Sequence, residues 1–432
     1  MRNVDAAGLG IGDDHPPRIM GVLNVSAESP YDPSVYDDPG EAAAYVDEEL
    51  IGEGADIVDV GLESANKDLD VLSAEQELDR LDTAIETLES TAGDAVWSIE
   101  TRYHEVADEA LSRGFDMVND ICGFADPEMP RVCREHDAAV SKMASPPDLE
   151  RPGAVEDVDE IYDALSRNGF TDKTILDPAF GGWSAEKTHA DDRETFHRLR
   201  EFSGYGRPLL VSINRKSFLK TIADRTTAEA LPVSLAATSM AVERGAHVIR
   251  THDVAETRDA ALVGAELARD RTRSDHDGGD VAVEELDVTT VREAERHLDR
   301  LDAERSPAGD AVVHTYELDA LTDPAVRALR AATAGDHDGS EHAAASRAAF
   351  VRAGSAAETR VPLSAADGGA PGGDAVGGSA GGSDAVDAGG VAGSGSGLLV
   401  GTPSALSAVK AAVSGVSAPL DAAMESIVGG SK

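Results

Sequence analysis

The sequence predicts an α/β protein in which a (β/α)8 TIM barrel is followed by a small accessory α/β domain. Short apolar segments with the length of buried parallel strands recur along roughly the first 270 residues, the usual size of such a barrel. Segments with apolar residues at helical spacing separate them. Polar residues directly follow most of the apolar segments, and in a barrel the strand ends form one rim. These observations predict one site assembled from many parts of the chain.

Eight segments are predicted as barrel strands. Each is a short, mostly apolar run, as parallel strands buried on both faces require. The predicted strands comprise residues 18–23, 55–60, 95–99, 116–118, 138–140, 174–176, 208–213 and 246–249. The predicted helices comprise residues 39–51, 73–88, 104–113, 155–168, 191–202, 228–244 and 255–268. Gly54, Gly114 and Gly245 follow helical segments, where glycine suits a left-handed C-cap.

The composition is strongly acidic, with 81 acidic against 38 basic residues and a formal net charge of -43. Nucleic acids and anionic membranes need a positively charged partner surface, so the charge argues against both. Because the chain is 41% hydrophobic and periodic, we expect a folded protein with an acidic shell of the haloarchaeal, halophilic type. An ordinary acidic protein is the alternative.

Cysteine content and hydropathy indicate the compartment. Cys122 and Cys133 are too few for a disulfide framework or a zinc site. No apolar run approaches the ~20 residues of a membrane span, and residues 1–17 lack the apolar core of a signal peptide. We therefore expect a soluble, cytoplasmic protein.

The character of the chain changes near Asp270. We predict an N-terminal tail (1–16), the barrel (17–269), a linker (270–279) and the accessory α/β domain (280–432). Within the accessory domain, residues 334–397 form a low-complexity insert rich in Gly, Ala, Ser and Asp, too poor in apolar surface to order itself. Near the C-terminus, Thr402 and Pro403 predict the N-cap and first position of a helix.

The first polar strand ends carry oxygen ligands. Asn24 ends the first strand, where its amide could ligate Mg2+ or meet a phosphate, or simply form a turn. Asp59 and Glu63 flank the end of the second strand, where two carboxylates are costly unless they bind a ligand or join a hydrogen-bonded network. For Glu63 a structural network is as favoured as a ligand.

The middle strand ends combine carboxylates with an amide. Glu100 ends the third strand, Asn119 the fourth and Asp177 the sixth. Facing one cavity, such groups suit the flat edge of a nitrogen heterocycle. Singly, each could instead cap the following helix.

The last two strand ends are basic. Arg215 and Lys216 follow the seventh strand, and Arg250 and His252 end the eighth. Barrels of this class bind phosphate at that position, so these residues predict an anion site.

Seven short motifs in order resemble those of the dihydropteroate synthase family. The resemblance covers about residues 17–268. The motifs lie at residues 20–25 (MGVLNV), 59–64 (DVGLES), 98–101 (SIET), 119–123 (NDICG), 176–178 (LDP), 214–217 (NRKS) and 250–254 (RTHDV).

The resemblance implies a pterin-binding barrel and a transferase of folate biosynthesis. Such an enzyme condenses 6-hydroxymethyl-7,8-dihydropterin diphosphate with 4-aminobenzoate and releases diphosphate; the resemblance also implies a homodimer. Asn24 would position Mg2+ and diphosphate, and Arg250 and His252 would hold the diphosphate. The pterin ring would be read by Glu100, Asn119, Asp177 and Lys216. The implied catalytic residues are Lys216, Arg250 and His252, and the implied substrate-binding set also includes Asp59, Glu63 and Ser64.

Some positions depart from the family pattern. Residues 65–67 read Ala-Asn-Lys in place of Thr-Arg-Pro, and residues 27–30 read Ala-Glu-Ser-Pro in place of Pro-Asp-Ser-Phe. Glu100 replaces the usual Asp, residues 180–184 disrupt a Gly-Phe-Gly-Lys motif, and Lys142 stands where His is common.

These departures leave two alternatives open: a related transferase with a modified arylamine acceptor, and a non-catalytic pterin-binding protein. The retention of Asn24, Lys216, Arg250 and His252 favours an enzyme, because a pure pterin binder needs no diphosphate site.

Overall fold

A computed structural model describes residues 3–26, 34–63, 71–181, 187–274, 283–334, 348–352 and 395–430. The chain forms two compact units. The first comprises Met1–Asp287 with Arg296–Ala303, and the second comprises Val288–Glu295 with Glu304–Lys432.

The first unit is an eight-stranded parallel barrel preceded by a hairpin of β1 (Val4–Ala6) and β2 (Leu9–Ile11). Its sheet order is β8-β7-β6-β5-β4-β3-β10-β9. A parallel bridge between Leu176 and Leu209 joins the two outer strands, so the barrel is nearly closed. The predicted barrel is confirmed. Its strands are β3 (Arg18–Asn24), β4 (Ile57–Gly61), β5 (Val96–Thr101), β6 (Met117–Asp120), β7 (Ala139–Met143), β8 (Thr174–Asp177), β9 (Leu210–Val211) and β10 (Val248–Thr251).

Helices surround the barrel, and Val46–Ile51 continue the first of them as a π-helix. The helical spacing of the sequence does not reveal α4 or α7, because seven residues hold only about two turns. The helices are α1 (Pro39–Tyr45), α2 (Ala74–Ser90), α3 (His104–Ser112), α4 (Met129–Glu135), α5 (Val158–Ser166), α6 (His189–His197), α7 (Ser217–Ala223), α8 (Leu231–Glu243) and α9 (Val254–Glu266), followed along the chain by α10 (Val291–Arg300).

The amino-terminal end of the barrel is apolar. Val4, Ala6 and Ile11 of the hairpin are buried against the inward-facing residues of that end. The hairpin therefore covers the amino end with apolar side chains, which leaves the carboxyl end of the strands for polar chemistry. The inward apolar residues, called the apolar layer below, are Met20, Ile57, Val96, Met117, Ala139, Ile175, Leu210 and Val248.

Among the described residues, the second unit contains a three-stranded antiparallel sheet in the order β13-β15-β14, a 3-10 helix (Ser306–Asp310) and α-helices. Thr402 is the N-cap of α12, accepting from the backbone N–H of Ala405, with proline in the first turn as predicted. Its elements are β13 (His314–Leu321), α11 (Asp323–Thr333), β14 (Ala349–Arg352), β15 (Gly395–Gly401), α12 (Pro403–Val413) and α13 (Ala418–Gly430).

The predicted low-complexity insert needs one correction. Ala349–Arg352 lie within residues 334–397, yet they form β14 and pair with β15. β14 lies at the edge of the sheet, where Phe350 packs against the apolar core of the second unit. Residues 335–347 and 353–394 lie outside the described residues.

Two short strands follow α9 along the chain within the first unit: β11 (Arg273–Ser274) pairs antiparallel with β12 (Val283–Glu284).

Candidate active site

Strand register places a set of polar side chains inside the barrel. Side chains of paired residues in a parallel sheet point to the same face, and alternate residues of one strand share a face. Asp59 pairs with Ser98, and Asn119 pairs with both Glu100 and Ser141. We call the inward-facing set the polar interior: Asp59, Ser98, Glu100, Asn119, Ser141, Asp177 and Arg250.

Asp59 is the centre of this set and is fully buried. Its Oδ1 accepts from Ser98 Oγ at 2.7 Å. Its Oδ2 accepts from Asn119 Nδ2 at 3.0 Å and from Arg250 Nε at 2.7 Å. Because three donors occupy its two oxygens, Asp59 orients Asn119 and Arg250.

Arg250 bridges two carboxylates across the interior. Besides Asp59, it donates from Nη2 to Glu100 Oε2 at 2.6 Å. Burial opposes its charge, but the carboxylates of Glu100 and Asp59 outweigh burial and raise the pKa of Arg250. Burial also raises the pKa of Glu100, although Arg250 opposes that shift. Arg250 is therefore a fixed cation between two acids, and its Nη1 makes no hydrogen bond within the described ranges.

Asp177 lies deep in the barrel near cationic side chains. Its Oδ1 accepts from the backbone N–H of Ala179 at 2.7 Å. Burial raises the pKa of Asp177 to about 6, against the opposing effects of that N–H and of Lys216. Burial and the charge of Arg250 lower the pKa of Lys216 to about 8. An acid and a base here titrate on either side of neutral pH, as perturbed groups at functional sites often do.

The side chain of Lys216 lies against the backbone of Gly181. Its φ of +108° belongs to the region that favours glycine, and a Cβ there would lie 2.8 Å from Lys216 Cδ. Within the described part of the chain, Lys216 Nζ has no hydrogen-bond or ion-pair partner. Glycine at this position therefore leaves room for the Lys216 side chain to lie against the backbone.

Asn24 and His252 meet through Ser34. Asn24 Nδ2 donates to Ser34 Oγ at 3.1 Å, and Ser34 Oγ lies 3.0 Å from His252 Nδ1. Burial and Arg250 lower the pKa of His252 to about 3. His252 is therefore neutral near pH 7, and the positive charge of the predicted anion site comes from Arg250 and Lys216. Nothing in the sequence marked Ser34.

Glu63 belongs to a structural network. It forms an ion pair with Arg102, and its Oε1 accepts from the backbone N–H of Leu72 at 2.9 Å. The network alternative for Glu63 fits these contacts. Ser64 lies outside the described residues, as do residues 27–30, 65–67 and 182–184 on which most of the family departures rest.

Two basic residues noted in the sequence analysis, Arg215 and Lys142, make structural contacts. Arg215 donates from Nε and Nη2 to the two carboxylate oxygens of Asp253, each at 2.8 Å. Lys142 is fully buried but points out of the barrel, where Nζ donates to Gly169 O at 2.9 Å and lies 4.6 Å from the Phe124 ring centroid. Lys142 is therefore remote from the polar interior.

Glu77 is a buried acid that sequence reasoning missed. It lies on α2 and accepts from Thr101 Oγ1 at 2.5 Å. Burial raises the pKa of Glu77 to about 7. Glu77 lies on a helix among other acidic residues, so the sequence does not distinguish it from exposed acids; only the tertiary fold buries it.

The donor set at the top of β3 and β4 fits a hard cation. A Cβ on Gly61 would lie 3.0 Å from Asn24 Oδ1 and 3.7 Å from Glu100 Oε1, so glycine keeps the space between two oxygens open. Oxygen ligands are those that Mg2+ prefers. Another group of ligand atoms within the described ranges, His104, Glu105 and Asp126, is partly engaged, because His104 Nδ1 lies 2.8 Å from Asp126 Oδ2.

A cavity of about 800 Å³ opens away from the polar interior. Its lining includes Tyr205, Gly245 and His247, which lie at the amino-terminal ends of the last strands. Six arginines and six acidic residues also line it, so it carries no excess positive charge. The site residues that the sequence predicts are not among those that line this cavity.

Comparisons with known proteins find similarity over the barrel. Residues 20–252, more than half of the chain, match the family described as pterin binding enzyme. The dihydropteroate synthase of Bacillus subtilis is 31% identical over 256 residues, which cover 58% of this chain and 88% of that protein. A probable bifunctional folylpolyglutamate synthase/dihydropteroate synthase of Halobacterium salinarum is 34% identical over 263 residues, 58% of this chain and 31% of that protein.

Solved structures are similar over the same region. A dihydropteroate synthase from Coxiella burnetii in complex with pteroic acid has a TM-score of 0.52 and 28% identity, and it covers 61% of this chain and 98% of that one. The Thermus thermophilus enzyme in complex with 4-aminobenzoate has a TM-score of 0.51 and 29% identity, covering 62% and 100%. Among the described residues, no helix combines the length and apolar character needed to cross a membrane.

Proposed function

We propose that this chain, which belongs to the family of pterin-binding enzymes, is a dihydropteroate synthase that joins a pterin diphosphate to 4-aminobenzoate and releases diphosphate. One observation carries the proposal: acceptors for a heterocycle and cations for an anion occur together at the carboxyl end of the barrel. Asn119 and Asp177 supply the acceptors, and Arg250 and Lys216 supply the charge. The relatives whose structures hold pteroic acid and 4-aminobenzoate support the same substrate classes.

The pterin ring would lie against Asn119 and Asp177. Asn119 Nδ2 donates to Asp59, which directs its amide oxygen to a ligand, and one oxygen of Asp177 remains beyond the bond to Ala179. Two acceptors suit the N–H groups of a 2-amino-4-oxopyrimidine ring. Glu100 contributes by holding Arg250 in place.

The diphosphate would lie nearer the rim. Arg250, Lys216 and the neutral imidazole of His252 would stabilise the charge that develops on the leaving oxygen, because fixed cations and dipoles favour a developing anion. Asn24 would hold Mg2+, which when bound neutralises part of the diphosphate charge. The arylamine needs chiefly orientation next to the pterin methylene carbon.

The test is an assay of diphosphate release in high-salt buffer with pterin diphosphate, Mg2+ and 4-aminobenzoate. We expect release that depends on 4-aminobenzoate, with dihydropteroate formed in equal amount. Lys216→Met should abolish most of it, whereas Lys220→Met, one helical turn further along, should not. Release only with a different arylamine would indicate a modified acceptor, and pterin binding without release would indicate a binding protein.

A further inference from the structure

The hydroxyl group of Ser141 is fully buried and makes no hydrogen bond within the described part of the chain. The side chain is 0% exposed, and Oγ has no hydrogen-bond partner among the residues that the structure describes. Buried polar groups are normally paired, and an unpaired one destabilises the protein. Ser98 provides the contrast, since it is equally buried but donates to Asp59 at 2.7 Å.

The register of β7 directs Ser141 into the polar interior. Ser141 pairs with Asn119 on β6, whose side chain reaches Asp59 inside the barrel. On the other side, Met143, which shares a face with Ser141, pairs with Asp177 on β8. The adjacent Lys142 points outward to Gly169 O, as alternation along a strand requires. Ser141 therefore lies on the strand between those that carry the two proposed pterin acceptors.

We infer that Ser141 is a pterin-recognition residue, whose hydroxyl donates a hydrogen bond to an acceptor atom of the ring; this rests on the function proposed above. A 2-amino-4-oxopyrimidine edge has an amino group and an N–H as donors, flanked by a ring nitrogen and a carbonyl oxygen as acceptors. Asn119 and Asp177 match the donors but supply no donor for the two flanking acceptors, and Lys216, which the family resemblance also assigns to the ring, can serve only one of them because they lie at opposite ends of the edge. The Ser141 hydroxyl supplies a donor on the strand between those of Asn119 and Asp177.

The experiment compares Ser141→Ala with Ser98→Ala in two measurements. Calorimetric titration with 6-hydroxymethyl-7,8-dihydropterin, which lacks the diphosphate, reports ring binding alone. Thermal unfolding without ligand reports the cost of the hydroxyl. For Ser141→Ala we expect binding roughly three- to tenfold weaker and a melting temperature equal to or above that of the wild type. For Ser98→Ala we expect a lower melting temperature, because Asp59 loses a donor.

The outcomes separate this inference from the proposed function. If Ser141→Ala binds the pterin as tightly as the wild type, the assignment of Ser141 is overturned while the proposed function stands. If Ser141→Ala melts below the wild type, as expected for Ser98→Ala, the hydroxyl has a structural partner and the assignment is likewise overturned. If the wild type itself does not bind the pterin, both proposals fail.

Discussion

The two ends of the barrel are built from the same strands but differ in chemistry. On six strands the inward residue changes from apolar to polar over two positions, one repeat of a strand. The lower residue belongs to the apolar layer and the upper one to the polar interior. The pairs are Ile57 and Asp59, Val96 and Ser98, Met117 and Asn119, Ala139 and Ser141, Ile175 and Asp177, and Val248 and Arg250.

Residues that supply stability and residues that supply recognition are therefore separated along each strand by about 7 Å. The apolar layer, covered by the hairpin, supplies burial. The polar interior is costly to bury and is compensated by internal ion pairs such as Arg250 with Asp59. Substitutions at the two ends should therefore fail in different ways.

The largest effect is expected for Arg250→Ala. It leaves Asp59 and Glu100 as buried carboxylates without their cation, so the free energy of unfolding should fall by about 3 kcal/mol. Binding of the pterin diphosphate should weaken by about a hundredfold. Urea unfolding and calorimetric titration measure the two effects. Arg250→Lys, which retains the charge, should recover part of the stability; an unchanged donor affinity in Arg250→Ala would contradict the role in diphosphate binding.

Ile57→Ala tests the apolar layer. Removing this fully buried side chain should lower the free energy of unfolding by about 2–4 kcal/mol through lost burial and a cavity. At a temperature where the variant is folded, both Michaelis constants should match those of the wild type. A raised constant for the pterin diphosphate alone would show that the two ends are coupled.

Asp177→Asn tests the polar interior on the same scale. Burial raises the folded-state pKa of Asp177 from 3.8 to about 6, so the carboxyl favours folding when protonated, and this contribution is lost as pH rises through about 6. The asparagine side chain cannot ionise, so the variant does not lose this contribution as pH rises. The difference in free energy of unfolding between the variant and the wild type should therefore shift in favour of the variant by up to about 3 kcal/mol between pH 4 and 7. Turnover should fall, because an NH2 donor replaces an acceptor oxygen. Lower stability at pH 7 with normal turnover would make Asp177 a structural cap.

The pH dependence of kcat/KM should show the titration of Asp177 and Lys216, and we expect this effect to be smaller than those of the substitutions above. Asp177 must be ionised to accept from the pterin, so kcat/KM should rise through about pH 6; Lys216 must be protonated, so it should fall above about pH 8. Stopped initial-rate assays across this range give both limbs. The Asp177→Asn variant should retain only the alkaline limb, and a flat wild-type profile would contradict both assignments.

Sequence reasoning located the barrel strands well because their apolar runs are continuous and polar residues mark where they end. It could not determine which residues near the strand ends face inward. In β7 the sequence analysis singled out Lys142. The strand register instead places the Ser141 side chain inside the barrel and the Lys142 side chain outside it. A shift of one residue reverses the face of every side chain.

Other parts of the site depend on contacts distant in sequence. Ser34, which bonds to Asn24, contacts His252 across 218 residues of sequence, and Gly181 leaves room for the Lys216 side chain. The neutral state of His252 follows chiefly from burial, which the local sequence does not show, and in smaller part from Arg250 two residues earlier. The hairpin also escaped prediction, because its strands of three residues are too short for an alternating pattern.

The most direct test of the separation along the strands is kcat/KM for diphosphate release in Ile57→Ala and Asp177→Asn, measured side by side at a temperature where both are folded. We expect Ile57→Ala to retain the wild-type kcat/KM within about twofold. We expect kcat/KM of Asp177→Asn to fall about a hundredfold or more, because a buried site that hydrogen-bonds its substrate strongly rejects a mismatched group. Near-wild-type activity in Asp177→Asn, or an equal loss in both variants, would contradict the separation.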